Sequence, residues 1–255
     1  MARKGAPEIP VAVGDTLAGK YLVERILGAG GMGVVVAAKH LQLGERVAIK
    51  FLLPDALKHP EVTARFEQEG QTAAKVRSEH VARIHDVGTL ESGAPFIVME
   101  YLEGRDLAAL IDERGSIPLE EATLYLLQVC EALAEAHSMG IVHRDLKPGN
   151  LILTRRKDGR PAVKLIDFGI SKLMAPAVNR QMTLPAVMMG SPLYMAPEQM
   201  TSARDVDHRS DIWSLGAILY QLLTSKPPYD GKSVSEVYDL IMEGPARARS
   251  LRSDL

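Results

Sequence analysis

The feature that most restricts the fold is a change of pattern near residue 105. Before it, "KYLVERIL", "VVVAAKH", "RVAIKFL", "VARIHDVGTL" and "PFIVMEYL" are short, rich in β-branched residues and bounded by turns, which predicts strands. One helix interrupts them: "PEVTARFEQEGQTAAKV" opens on a proline and turns Val62, Phe66 and Ala73 toward one side. After residue 105 the pattern is helical. The longest helix is expected over 118–139, opened by Pro118 and stopped by Gly140. Two more follow: "DIWSLGAILYQLLTS", halted by Pro227 and Pro228, and "SVSEVYDLIME", with a Ser233-x-x-Glu236 capping box and a Gly244-Pro245 stop. Strands first and helices after read as an α+β fold, a small strand-rich lobe and a larger helical lobe with a hinge near 100–105.

Bulk properties narrow the function classes. At 255 residues and 46% hydrophobic the chain can bury a substantial core. A formal net charge of -2 offers no global attraction to nucleic acid or to an anionic membrane. "RRKDGR" (155–160) surrounds an Asp-Gly pair and reads as a solvated hairpin turn, and the tail "PARARSLRSDL" reads as charged and exposed. No run approaches the roughly 18 apolar residues of a membrane span, and "MARKGAPEIP" lacks an apolar signal core. A cytoplasmic chain without membrane contact is expected. The single cysteine, Cys130, excludes an internal disulfide and a multi-cysteine metal site. It is expected as a small core residue beside the stripe Ala122, Leu126, Val129, Leu133 and Ala136.

"LGAGGMGVVV" (27–36) places Gly28, Gly30 and Gly33 in a G-x-G-x-x-G pattern. The pattern alone fits a dinucleotide-binding turn, a lid over a nucleoside triphosphate, or a plain hairpin turn. A dinucleotide turn needs a helix after the third glycine. Instead Val34, Val35 and Val36 run into "AAKH", a returning strand, so the glycines sit in a hairpin. Lys50 in "VAIK" lies on the next strand; alone, it reads better as a solvated edge residue than as a functional one.

"HRDLKPGN" (143–150), "DFG" (167–169) and "APE" (196–198) then follow in order, and the set resembles the protein kinase family over about 21–245. "LGAGGMGVVVAAKH" and "GSPLYMAPEQ" resemble its bacterial, Hanks-type serine/threonine branch. The resemblance implies a bilobal fold: an N-terminal extension over 1–20, a β-rich N-lobe over 21–102 and a helical C-lobe over 103–255 that lacks the family's last helices. It implies ATP and Mg²⁺ as cofactors and residue roles to match. Leu27, Gly28, Gly30 and Gly33 would cover the nucleotide, with Val35 and Ala48 above the adenine and Ile152 as its floor. Behind Met99, the Glu100 carbonyl and Leu102 N–H would meet the adenine edge, and Asp106 would accept from the ribose. Lys50 would contact the α- and β-phosphates, held by Glu69 rather than Glu67, an ordinary solvated helix charge being the alternative. Asp145 would be the catalytic base, Lys147 would neutralise the γ-phosphate, and Asn150 and Asp167 would hold Mg²⁺ through hard oxygens. His143 is expected to be structural, packed beneath Phe168.

The implied activity is ATP- and Mg²⁺-dependent phosphoryl transfer to serine or threonine hydroxyls of protein substrates. Arg144 beside Asp145 would need an anion, which points to activating phosphorylation at Thr183 by a second copy of the chain. Ser171 and Ser191 are the runners-up, Ser191 being the better fit for a hydroxyl contact to Asp145 and Lys147. The alternatives are a pseudokinase or ATP-binding scaffold, and a small-molecule kinase, which "GSPLYMAPE" disfavours. In the family, later helices bring an arginine to the glutamate of "APE", whereas this sequence stops at Leu255. If Glu198 is buried as the resemblance implies, it lacks its partner, at a cost of about 3–5 kcal/mol, and the chain is expected to be a truncated kinase of low activity. The alternative is that the tail folds back and Glu198 is solvated or paired by Arg247, Arg249 or Arg252.

Overall fold

The computed structural model describes residues 11–29, 33–90, 92–168, 192–201 and 206–255. They fall into two compact units, the described residues of Met1–Lys75 and Ala82–Leu102 in one and those of Val76–Val81 and Glu103–Leu255 in the other.

The first unit is built on an antiparallel sheet of β1 (Thr16–Leu17), β2 (Tyr21–Ala29), β3 (Gly33–His40), β4 (Arg46–Leu52), β5 (Ile84–Thr89) and β6 (Pro95–Glu100), in the order β1-β2-β3-β4-β6-β5. Strand alternation sends Val34, Val36, Val47, Ile49, Phe51 and Phe96 into one buried cluster. The opposite face carries Val35, Ala48, Ile97 and Met99, against which α2 (Pro60–Ala73) packs Val62 and Phe66, with the short α1 (Pro54–Leu57) before it. The strand expected over 81–90 begins only at Ile84, because Val81 belongs to the second unit, where it bridges Leu165. At Gly33 a β-carbon would stand 2.6 Å from the Phe51 carbonyl oxygen, so β3 approaches β4 as only glycine allows. Gly28 has no atom of the described residues within 4 Å of such a carbon.

In the second unit, β7 (Arg105–Asp106) leads into α3 (Leu107–Arg114), whose N-terminus is capped by the Asp106 carboxylate accepting from Ala109 N–H at 2.9 Å. α4 (Leu119–Ser138) follows, then β8 (Leu151–Arg155) and β9 (Pro161–Leu165), which complete a sheet ordered β7-β8-β9. Beyond them lie α5 (Pro197–Thr201), α6 (Arg209–Thr224), α7 (Val234–Glu243) and α8 (Ala248–Leu251). Val129, Leu133, Ile218 and Leu222 bury the facing sides of α4 and α6. The Ser233 hydroxyl caps α7 by accepting from Glu236 N–H at 3.1 Å, while the Glu236 carboxylate accepts from Lys232 N–H rather than completing the box on Ser233. No helix of the described residues is long and apolar enough to cross a membrane.

Three expectations need correction. Cys130 is exposed, because the buried face of α4 runs through Ala122, Tyr125, Leu126, Val129, Leu133 and Ala136, and the step of one residue from Val129 turns Cys130 outward. The tail is not merely a solvated run: Arg252 donates to the carbonyls of Ile117 at 2.6 Å and Leu223 at 3.3 Å, and Asp254 grips its guanidinium. Glu198 is half-exposed in the first turn of α5 rather than buried, so the cost of an unpaired buried carboxylate does not arise there.

Candidate active site

In the first unit strand register brings several of the expected residues together. Val35 pairs with Lys50, Lys50 with Ile97 and Ala48 with Met99, so these side chains share one face of the sheet. α2 packs on that same face. Its buried positions Val62, Phe66, Glu69, Gly70 and Ala73 follow the helical repeat, which turns Glu69 inward and leaves Glu67 only half-buried. Gly70 permits the approach, since a β-carbon there would lie 3.0 Å from the Ile97 side chain. The outcome is an ion pair of 3.0 Å between Lys50 Nζ and Glu69 Oε1, with Glu69 5% exposed. β2 carries register shifts between Val23 and Arg25 and between Ile26 and Gly28, and the second of these contains Leu27. Leu27 and Gly28 are both exposed. Met99 is buried, Glu100 N–H donates to the Arg83 carbonyl at 2.8 Å, and Leu102 is half-buried.

In the second unit the segment 143–150 is organised by a residue the sequence reading missed, Asp211. This carboxylate is fully buried in the first turn of α6 and accepts from the backbone N–H of His143 at 2.9 Å, the N–H of Arg144 at 2.8 Å and His137 Nε2 at 2.8 Å. Those contacts hold Arg144 at φ +67°, in the left-handed region that a residue with a bulky side chain rarely adopts. His143 is fully buried, its ring 5.0 Å from that of Phe168. Its Nδ1 accepts from Asp145 N–H at 3.2 Å, which leaves Nε2 to carry the proton and donate to the Ile166 carbonyl at 3.2 Å. Burial lowers the pKa of this ring and keeps it neutral, the state in which Nδ1 can accept.

Asp145 Oδ2 lies 3.2 Å from Lys147 Nζ, and Asn150 Nδ2 donates to the Asp145 carbonyl at 2.8 Å. With its amide nitrogen committed there, Asn150 offers Oδ1 as a hard oxygen ligand. Asp167 has φ +56°. Asp106 and Ile152 are register partners across β7 and β8 and so stand side by side. The Arg144 guanidinium donates to the Val206 carbonyl at 3.3 Å, has a buried Nε without a partner among the described residues, and is pushed below its ordinary pKa by burial. Gly30, Ser171, Thr183 and Ser191 lie outside the described residues.

The donor chemistry fits the implied groups. A β-carbon at Gly28 would meet no atom of the described residues within 4 Å, so packing among them does not demand glycine there and the bare backbone suits a ligand. Mg²⁺ retains waters and takes only one or two protein oxygens beside those of phosphates, and Asn150 with Asp167 offers such a set. No cluster of three or more histidine, cysteine or acidic residues able to hold a metal occurs among the described residues.

The first unit thus holds a paired lysine and glutamate, and the second holds a carboxylate, a lysine and an asparagine on a loop anchored by buried Asp211. Residues 21–253 match the family profile of the protein kinase domain, and the chain belongs to that family. Among curated relatives, serine/threonine-protein kinase pkn3 of Myxococcus xanthus is 37% identical over 232 residues, covering 89% of this chain and 42% of the relative. Serine/threonine-protein kinase PknB of Mycobacterium tuberculosis is 37% identical over 247 residues, covering 94% of this chain and 38% of the relative. The chain thus spans about two fifths of the length of these relatives. Among solved structures, the kinase domain of Mycobacterium tuberculosis PknI is similar with a TM-score of 0.72 at 30% identity, covering 96% of this chain and 86% of that one. The fold is the protein kinase fold, and the relatives belong to its bacterial serine/threonine branch.

Proposed function

We propose that this chain transfers the γ-phosphoryl group of ATP, with Mg²⁺, to serine and threonine hydroxyls of protein substrates. The observation that carries the reading is the setting of Asp145: a half-buried carboxylate beside Lys147, on a loop pinned by Asp211, His143 and Asn150. Phosphoryl transfer asks a protein mainly for positioning and for charge to offset the moving group. Asp145 orients the attacking hydroxyl and takes its proton at a carboxylate oxygen. Lys147 stabilises the charge on the transferring oxygens, and Lys50, oriented by Glu69, holds the phosphates. Asn150 and Asp167 hold Mg²⁺. Leu27, Gly28, Gly30 and Gly33 cover the nucleotide, and Val35, Ala48 and Ile152 contact the adenine. Met99 lies behind Glu100 and Leu102, which present backbone groups to its edge, and Asp106 accepts from the ribose through the oxygen not used as a helix cap. When bound, MgATP supplies the phosphoryl group and the metal charge that neutralises it.

The test is incubation of the purified chain with labelled ATP, Mg²⁺ and a generic protein substrate. Phosphoserine or phosphothreonine is expected; nucleotide binding without any transfer overturns the reading. Regulation follows from Arg144, whose partly satisfied, buried guanidinium suits a phosphate supplied at Thr183 by a second copy of the chain. Mass spectrometry of fully active protein is expected to find Thr183 modified, and full specific activity with Thr183 unmodified defeats that part. With one cysteine and protein substrates, the site of action proposed is the cytoplasm.

A further inference from the structure

The peptide unit that joins Arg144 to Asp145 is held at both of its polar atoms. Its N–H donates to His143 Nδ1 at 3.2 Å, and its carbonyl accepts from Gln199 Nε2 at 3.0 Å. The other end of the Gln199 amide accepts from the backbone N–H of Ala196 at 3.0 Å. This fixes the amide's orientation chemically: Ala196 N–H is only a donor and the Arg144 carbonyl only an acceptor, so Oε1 must face the first and Nε2 the second. The plane held in this way is the one that directly precedes Asp145, and it follows a residue kept at φ +67°. A backbone in that region persists only where its surroundings over-determine it. Asp211 fixes the amide on the near side of Arg144, and Gln199 fixes the carbonyl on its far side. Rotation of this plane would swing the Cα–Cβ bond of Asp145 and move its carboxylate.

We propose that Gln199 is a positioning residue for Asp145, tying α5 to the loop 143–150 so that the carboxylate is held where it takes the substrate proton. The inference rests on the proposed role of Asp145. A misplacement of about 1 Å at a reacting group costs on the order of a hundredfold in rate, and loss of one of several restraints is expected to lower kcat by about tenfold to a hundredfold. KM for ATP should stay unchanged, because none of these contacts involves the residues assigned to the nucleotide.

Two substitutions test it. Gln199→Glu preserves shape and the acceptor for Ala196 but replaces the donor by a charged oxygen facing the Arg144 carbonyl. When protonated, the introduced carboxyl regains an O–H donor, and its setting against a carbonyl raises its pKa above the ordinary value of about 4.3. The ratio of its kcat to that of the wild type is therefore expected to rise as pH falls from 8 to 5.5. Gln199→Met has neither donor nor acceptor, and its ratio is expected to be low and flat across that range. Amide hydrogen exchange at Asp145, measured at pH 7.5, is expected to quicken in both variants whether or not the chain transfers phosphate. Wild-type kcat in both variants, a flat ratio for Gln199→Glu, or unchanged exchange at Asp145 overturns the proposal. A wild-type chain without transfer, together with quickened exchange in the variants, instead removes the catalytic reading of Asp145 and leaves the restraint itself standing.

Discussion

In the proposed mechanism Asp145 and Lys50 act on charge and position, and neither fills a core. Asp145→Asn retains the shape of the side chain but cannot take up a proton, so transfer is expected to fall by about a hundredfold or more. Lys50→Met keeps the stem that lies along the sheet and loses the ammonium that Glu69 orients. Rates are expected to fall strongly in both variants while circular dichroism stays that of the wild type; activity within a few-fold of wild type in either one would contradict the assignment. His143 makes a prediction about pH. In the unfolded chain its ring takes up a proton as pH falls past about 6.5, whereas burial in the fold holds it neutral to lower pH. Below about 6.5 the unfolded state binds the extra proton, so stability present above that pH is lost as pH falls. His143→Phe is expected to melt lower than wild type at pH 7.5, because Asp145 N–H and the Ile166 carbonyl lose their partner, but to show a shallower fall in Tm between pH 7 and 5.5. An equal slope in the two proteins would remove His143 from the acid response.

At the scale of elements, the β2–β3 segment separates a glycine needed for packing from one suited to a ligand. Gly33→Ala forces a carbon toward the Phe51 carbonyl, a backbone atom that cannot step aside, and is expected to cost about 1–3 kcal/mol of stability. Gly28→Ala meets no atom of the described residues within 4 Å and is expected to leave Tm unchanged while raising KM for ATP roughly fivefold, equivalent to about 1 kcal/mol of binding. Thermal melts paired with ATP titrations check both; a normal Tm in Gly33→Ala or a normal KM in Gly28→Ala would reverse the distinction. The sequence marks both residues as members of one motif and does not say which is which, because the answer depends on how closely β4 passes β3. Elsewhere the elements were legible where periodicity was strong. The β4 segment "RVAIKFL" and the body of α4 follow from alternation and from a helical stripe flanked by Pro118 and Gly140. Val81 and Cys130 were misjudged for opposite reasons. Val81 looks like the start of a strand but leaves the first unit for a bridge to Leu165, and Cys130 looks apolar but lies one helical step off the buried stripe.

Across the second unit as a whole, the fixed point is a residue that the helical pattern of "DIWSLGAILYQLLTS" does not single out. The chemistry-bearing residues of 143–150 were readable because they are contiguous and chemically distinctive, and Lys50 was readable from its strand. Asp211 is not marked by periodicity in this way. An aspartate in the first turn of a helix is explained adequately by the helix dipole, and its partners are backbone groups that carry no identity in a sequence. Yet its single buried carboxylate joins the first turn of α6 to His137 near the end of α4 and to the backbone of His143 and Arg144. Asp211→Asn tests that view, because Oδ2 receives two donors and Oδ1 a third, and whichever way the new amide is turned, its NH₂ faces a backbone N–H. The expected cost is on the order of 3 kcal/mol, or a Tm lower by about 6–12 °C for a chain of this size. Because the same contacts hold Arg144 at its positive φ, kcat should fall together with Tm. Asp145→Asn, in contrast, is expected to lower kcat alone. Melting curves and single-turnover rates measured on both variants distinguish an anchor from a catalyst, and an Asp211→Asn protein with wild-type Tm and wild-type rate would show that the loop is held without it.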